Sequence, residues 1–308
     1  MTFATSKTEP IAQEKTPIQS LFTADIPDRV LLSVHLLGKP TSDQLFRLHS
    51  DIISTPQKMR SIMASLRGKP DHMLVAIKPI DIATPLLRLP FVYLDTTASR
   101  RHLEELMGVA YRRPPVLPSR DWRFLRHDVT LVDELVSFEL TARKHQTPFG
   151  YESHFDTEGA FVFPYLTITD GSLSHRIRPR PDKTLIIGKY HVVIEHDCGE
   201  ETVDLGNIIR DATIARKHLV YDQLERSGSL DDLGWNKRLY LYLVDGKRST
   251  LKSSRKRVKR CLQTMPAHVN ATKTFFVDRQ TFIEAGDDVR DVQWVRGDGT
   301  LQKLPCWR

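Results

Sequence analysis

The apolar positions in the first third of the chain recur with the period of a helix. In residues 26–39 they fall three or four apart, which predicts an amphipathic helix with its apolar side at Val30, Leu31, Val34 and Leu37. A second helix follows at once, with Thr41 or Ser42 as its cap. Thr55 is the expected cap of a third helix, in which Pro56 is the first residue. Three short helices joined by tight turns are typical of a helix-turn-helix.

Two strand-like runs, residues 73–82 and 86–97, come directly after the third helix. The order of three helices and two strands predicts a winged helix-turn-helix domain over residues 26–110. The apolar stripe of the third helix leaves polar side chains outward that can reach base edges and phosphates of double-stranded DNA: Gln57, Lys58, Arg60, Ser61 and Arg67. A plain three-helix bundle with a basic face stays open as the alternative.

Residues 111–121 contain three prolines and no apolar period, so they are predicted to be a linker. The pattern of apolar residues is different after this segment. A long helix with Asp128 as its expected cap, an antiparallel meander of strands, a helix at about 207–226, and then strand, basic helix and strand follow. This order predicts a restriction-endonuclease-like α/β domain with a central mixed sheet over residues 122–278. A hairpin or extension is expected for 279–308, and a flexible tail for 1–25.

Length and charge narrow the class of protein. A chain of 308 residues is long enough for two domains, and a net charge of +7 favours an anionic partner such as nucleic acid. The three cysteines form no CxxC pair, and no apolar run has the length of a membrane span, so we expect a cytoplasmic protein without a membrane partner. The motifs of phosphate-binding loops, nucleophile elbows and dinucleotide-binding turns are not found in the sequence.

Carboxylates gather around one pair of strand-like runs. Glu195 and Asp197 lie two apart, so they share one face of a strand, and Asp182 precedes the neighbouring run. Glu139 falls near the centre of the apolar side of the long helix, where either a salt bridge from another element or a metal cluster would account for it. Converging carboxylates suit Mg²⁺ or Mn²⁺. A solvated strand end is the alternative interpretation.

Several motifs resemble those of one family. HDVTLVDELVSFELTARK at 127–144, PD at 181–182, VVIEHDCGEET at 192–202, and Lys217 four residues before Tyr221 look like the replication-relaxation family of plasmid and mobile-element proteins. The resemblance runs from about residue 26 to 278 and implies a winged helix-turn-helix joined to a PD-(D/E)XK-type domain. The family usually has Arg-Gly-Thr where this chain has Cys-Gly-Glu at 198–200.

Nucleases of this fold hold a cation with two or three acidic groups and use a lysine two residues after the glutamate. That position is Asp197 in this chain, so Lys217 or Arg216 on the following helix would have to replace it. The resulting candidates are Asp182, Glu195 and Lys217 for catalysis. The candidate metal ligands are Glu139, Asp182, Glu195 and Asp197.

A very basic helix is predicted at residues 249–265, and four of its side chains are expected to contact DNA phosphates: Arg255, Lys256, Arg257 and Lys259. Two functions stay open. The first is a DNA-binding protein that acts in replication, relaxation or transcriptional control of a plasmid or other mobile element. The second is a Mg²⁺-dependent nickase or endonuclease. A homodimer also stays open, although no coiled-coil heptad is present to form one.

Overall fold

The computed structural model describes residues 25–68, 72–80, 89–107, 122–152, 162–170, 173–199, 201–203, 213–246, 250–265 and 270–308. The predicted tail, apart from Asp25, and the predicted linker lie outside these ranges. None of the helices in this part of the chain combines the length and the apolar character that a membrane crossing requires.

The N-terminal part begins with three helices, α1 (Ile26–Leu37), α2 (Ser42–Leu48) and α3 (Pro56–Arg67). The side chain of Thr41 accepts a hydrogen bond from the first turn of α2, and Thr55 caps α3 in the same way. Both caps agree with the prediction. Local capping signals therefore set where these helices start.

A short antiparallel hairpin follows, made of β1 (Leu74–Ile77) and β2 (Val92–Asp95), and α4 (Thr97–Met107) comes after it. The buried imidazole of His35 on α1 lies 2.8 Å from the Asp95 carboxylate, which joins the end of β2 to the helices. The order of elements is the predicted one.

The long helix α5 (Trp122–Lys144) starts earlier than predicted. Asp128 is not its cap but lies inside the helix, where its carboxylate pairs with Lys39. The side-chain amide of Gln44 on α2 donates to the backbone carbonyl of Val129 at 2.8 Å. The helix thus connects the N-terminal helices to the rest of the chain.

The remaining strands are, in chain order, β3 (Phe149–Glu152), β4 (Leu166–Asp170), β5 (Leu173–Ile177), β6 (Lys183–Ile187), β7 (Tyr190–Asp197), β8 (Arg238–Val244), β9 (Thr274–Asp278), β10 (Trp294–Arg296) and β11 (Leu301–Gln302). Seven of them form one sheet in the order β11-β10-β9-β8-β7-β6-β3. Strands β7, β8 and β9 are parallel, and the other neighbours are antiparallel, so the central sheet is mixed as predicted.

The predicted meander is wrong at one point. β4 and β5 form a separate antiparallel pair, and β3 pairs directly with β6. The reason is that the apolar residues of β4 pack on a helix rather than beside another strand of the sheet. Apolar alternation indicates that a strand exists but does not identify its partner.

The helices of the second half are α6 (Ile214–Ser227), α7 (Ser229–Asp232), α8 (Leu251–Thr264) and α9 (Arg279–Glu284), and a 3₁₀ turn spans Pro305–Trp307. Two apolar clusters cover the two faces of the sheet. One cluster contains residues of α1, α2, α3 and α5, and the other contains residues of α6 and α8. Residues 204–212, the predicted start of the helix that we call α6, lie outside the described ranges.

Candidate functional site

Asp182 and Glu195 lie at neighbouring positions of the sheet. Lys183 on β6 is paired with Ile194 on β7, so the next position outward on each strand is Asp182 and Glu195. The Asp182 carboxylate also accepts a hydrogen bond of 2.7 Å from the backbone N–H of His196. The antiparallel register of β6 and β7 therefore brings these two predicted residues together.

Helix α6 supplies two groups to the same carboxylate. Lys217 and Tyr221 are four residues apart and so lie on one side of the helix. The Lys217 Nζ lies 2.8 Å from Glu195 Oε2 and donates to Glu201 Oε1 at 2.9 Å. The Tyr221 hydroxyl donates to Glu195 Oε1. The predicted lysine does meet the predicted glutamate, whereas Glu201 was missed.

Burial governs the charge of this cluster. It raises the pKa of Glu195 to about 7, with Lys217 opposing the rise and Asp182 adding to it. Burial disfavours the ammonium form of Lys217, but the carboxylates of Glu195, Asp182 and Glu201 outweigh it and raise the lysine pKa well above its usual value. Lys217 is therefore a permanent ammonium ion, and it lies beside the Glu195 carboxyl group, which exchanges its proton near neutral pH.

His127 on α5 is a further member of the cluster that the sequence did not single out. Its Nε2 lies 3.4 Å from Asp182 Oδ2 and 3.1 Å from the backbone carbonyl of His196. Burial lowers the pKa of His127, but hydrogen bonds to Asp128 and Asp182 outweigh it and raise that pKa to about 11. Burial raises the pKa of Asp182, yet its hydrogen bond with His127 and the charges of Lys217 and His127 lower it to about 2. Asp182 is therefore a permanent anion.

Asp197 faces the same side of β7 as Glu195 but has a different partner. Its Oδ1 accepts hydrogen bonds of 2.9 Å from Arg257 Nη2 and of 2.9 Å from the backbone N–H of Gly199, and its Oδ2 accepts from Arg257 Nε. A guanidinium thus neutralises the carboxylate that we expected to bind a cation.

This pair corrects the prediction for the basic helix as well. Arg257 on α8 is buried and is held by Asp197, so it does not face a DNA phosphate. The helix turns it inward, toward the sheet. Arg255, Lys256 and Lys259 are exposed on the outer side of the helix.

Glu139 does not join the cluster, and the prediction that placed it there is corrected. The alternation of β7 sends Glu195 to the face covered by α6, whereas Glu139 lies on α5, which covers the other face. Its carboxylate accepts hydrogen bonds from Arg143, one turn later on the same helix, and from the Tyr151 hydroxyl at 2.7 Å. The prediction was a salt bridge from another element or a metal cluster, but the salt bridge comes from the same helix and the other element supplies only the Tyr151 hydroxyl.

The opposite face of β7 carries a buried ion pair that the sequence did not reveal. His196 Nδ1 lies 2.8 Å from the Glu134 carboxylate on α5, and its Nε2 lies 2.8 Å from the Thr130 hydroxyl. Burial lowers the pKa of His196, but the charge of Glu134 and hydrogen bonds outweigh it and raise that pKa to about 10. The pair attaches β7 to α5, next to Asp182.

The residues fit a divalent cation only in part. In the described ranges no group of three His, Cys, Asp or Glu side chains is placed to hold a metal ion. Asp182 and Glu195 still offer hard oxygen donors. Glu195 Oε2 is buried and accepts no well-formed hydrogen bond from the described residues, although Lys217 Nζ lies nearby. Mg²⁺ often binds one or two carboxylates and completes its shell with water and substrate phosphate, which is the arrangement these two residues allow.

The outer side of α3 is the second feature of functional interest. Met59 and Met63 are buried, and Ile62 and Leu66 are half-buried, which confirms the predicted apolar stripe. The opposite side is exposed at all five positions that the sequence singled out, namely Gln57, Lys58, Arg60, Ser61 and Arg67. The helix therefore presents a continuous polar and basic surface.

No protein-family model matches the chain, and no curated protein or solved structure matches it.

Proposed function

We propose that the chain is a double-stranded-DNA-binding protein of a plasmid or other mobile element that acts in replication, relaxation or transcriptional control. In this proposal residues 26–110 are a winged helix-turn-helix, and a nuclease-like domain of the kind found in the replication-relaxation family follows. The observation that carries the proposal is the exposed surface of α3 beside the antiparallel hairpin β1–β2.

The geometry of α3 suits the major groove of DNA. Gln57, Arg60 and Ser61 lie within about one turn of the helix, and Arg67 lies about two turns beyond Arg60 on the same side. Amide and hydroxyl groups near the start of the helix can contact base edges, and the arginines can contact guanine or phosphate. The hairpin is then the wing, and the exposed Arg255, Lys256 and Lys259 of α8 add phosphate contacts.

Binding of the chain to duplex DNA at several salt concentrations tests this proposal. Arg60→Gln is expected to weaken binding about tenfold and to lower the slope of log K against log salt by about 1 if Arg60 contacts a phosphate. Lys237→Gln is the control. Lys237 is exposed directly before β8, and its substitution removes the same charge as Arg60→Gln. Wild-type protein that fails to bind duplex, or an Arg60→Gln variant that binds like the control, would overturn the proposal.

A metal-dependent DNA nickase or endonuclease is the second candidate. The observation that favours it is the meeting of Asp182, Glu195 and Lys217 at one end of strands β6 and β7. Asp182 and Glu195 would hold Mg²⁺ or Mn²⁺, which when bound polarises a phosphate oxygen and activates water. Lys217 would orient the attacked phosphate and stabilise its charge, in the role that the lysine after the glutamate has in related nucleases.

Supercoiled plasmid incubated with and without Mn²⁺ tests the second candidate. The wild-type chain should relax the plasmid only with the metal, and Asp182→Asn and Lys217→Gln should each lose about 100-fold of the rate. Asp291→Asn is the matched control, since Asp291 is an exposed carboxylate that pairs with Lys303 near the far edge of the sheet. Equal relaxation by all three variants would assign the cleavage to something other than this cluster.

A further inference from the structure

The ribbon formed by β4 and β5 has one buried side and one exposed side. Leu166 and Ile168 of β4 belong to the apolar cluster that contains Val220 and Leu224 of α6. Because strand side chains alternate, the residues between them point away from the helix. Thr167 and its partner Arg176 on β5 are exposed, as the alternation requires.

An aromatic side chain and two arginines cover this exposed side. The ring of Tyr165 is 49% exposed although it lies at the start of a strand. The guanidinium carbon of Arg176 lies 4.3 Å from the ring centroid, and that of Arg178 lies 4.0 Å from it. Contact with the ring restricts both long side chains, which lowers the entropy that they lose when they bind a ligand.

Two more arginines follow β5 at the same two-residue spacing. Arg176, Arg178 and Arg180 occupy every second position, while Pro179 and Pro181, which follow Arg178 and Arg180, are buried. We call these three residues the arginine row. The row ends two residues before Asp182.

We propose that the arginine row and Tyr165 bind the sugar-phosphate backbone of a DNA strand beside the Asp182 cluster, which consists of Asp182, Glu195, Lys217 and His127. Guanidinium groups bind phosphate oxygens through paired N–H donors and stack on aromatic rings, so one arginine can do both at once. Several arginines close together along the chain suit a strand of linked phosphates better than a single small anion. The inference rests on the proposed DNA-binding function and adds a contact separate from α3 and α8.

Three full-length variants test the proposal by their affinity for duplex and for single-stranded DNA across a salt series. Arg176→Gln should weaken binding about three- to tenfold and lower the salt slope by about 1. Tyr165→Leu keeps every charge, so it should weaken binding and leave the slope unchanged. Lys303→Gln is the control. It removes an exposed charge next to β11, an edge strand of the central sheet that is not part of the ribbon, and the variant should bind like wild type.

The result separates this proposal from the one on which it rests. If wild-type protein binds DNA and Arg60→Gln weakens it, but Arg176→Gln matches Lys303→Gln, the arginine row is not a DNA contact while the winged helix is one. Equal weakening by Arg176→Gln and Lys303→Gln also overturns it, because only net charge would then matter. Thermal melting of each variant shows that a loss of binding does not come from unfolding.

Discussion

His49 illustrates how burial decides the charge of a single residue. Its imidazole lies between α1 and α5, and its Nε2 is 2.9 Å from the Ser33 hydroxyl on α1. The guanidinium of Arg143 on α5 repels a positive charge on this imidazole. Burial, and after it the charge of Arg143, lowers the pKa of His49 to about 4. The residue is therefore neutral in the folded protein at neutral pH.

The stability of the fold should depend on pH through this residue. The pKa of His49 is lower in the folded than in the unfolded chain, so its contribution is complete above about pH 6.5 and is lost as the pH falls through about 4. His49→Gln keeps a hydrogen-bonding group but cannot be protonated. Between pH 6.5 and 4 the unfolding free energy of wild type should fall by on the order of 1–3 kcal/mol more than that of the variant.

Denaturant unfolding at each pH measures this difference. His72→Gln is the control, since His72 is exposed and its substitution should keep the pH profile of wild type. Parallel profiles for wild type and His49→Gln would show that His49 is not the group responsible.

The carboxylates show what residue patterns can and cannot predict. The alternation along β7 placed Glu195 and Asp197 on one face, which the structure confirms. Their partners could not be predicted, because Arg257 is 60 positions from Asp197 and reaches it only through the fold. Glu139 failed for the opposite reason. An arginine one turn away on the same helix pairs with it, whereas the sequence led us to expect a salt bridge from another element or a metal cluster.

At the scale of elements, the helices with local start signals were predicted best. Thr55 and Pro56 set the start of α3, and both act within one turn of the helix. The start of α5 was wrong because Asp128 has the chemistry of a cap but is paired with Lys39 instead. The side-chain chemistry of a residue shows that it can cap the start of a helix. Whether it does so depends on its tertiary partners.

Strand pairing was predicted less well, since it depends on contacts distant in sequence. The apolar runs located β6, β7, β8 and β9, but they could not show that β4 and β5 leave the sheet to cover α6. The separate pairing of β4 and β5 also bears on the proposed contact between the ribbon and DNA. It leaves a ribbon with an exposed side in the part of the chain directly before Asp182.

At the scale of the whole molecule, the N-terminal helices and the mixed sheet share one apolar core. Leu45 of α2 is fully buried in the cluster that also contains Val132 and Leu135 of α5 and Leu241 of β8. The carboxamide of Gln44 adds hydrogen bonds across the same boundary. A position set by a shared core is fixed relative to the sheet, so α3 holds one orientation relative to the strands that carry Asp182 and Glu195.

This continuity predicts that damage to α2 lowers the stability of the whole chain. All four tryptophans lie at or after Trp122, so their fluorescence reports only on the second part. Leu45→Ala should lower the unfolding free energy by about 2–5 kcal/mol and move the fluorescence transition together with the helical circular dichroism. Val75→Ala, at an exposed position of β1, should move neither signal. Two separate transitions in Leu45→Ala, with the tryptophan midpoint unchanged, would mean that the two parts unfold independently and that α3 can reorient relative to the sheet.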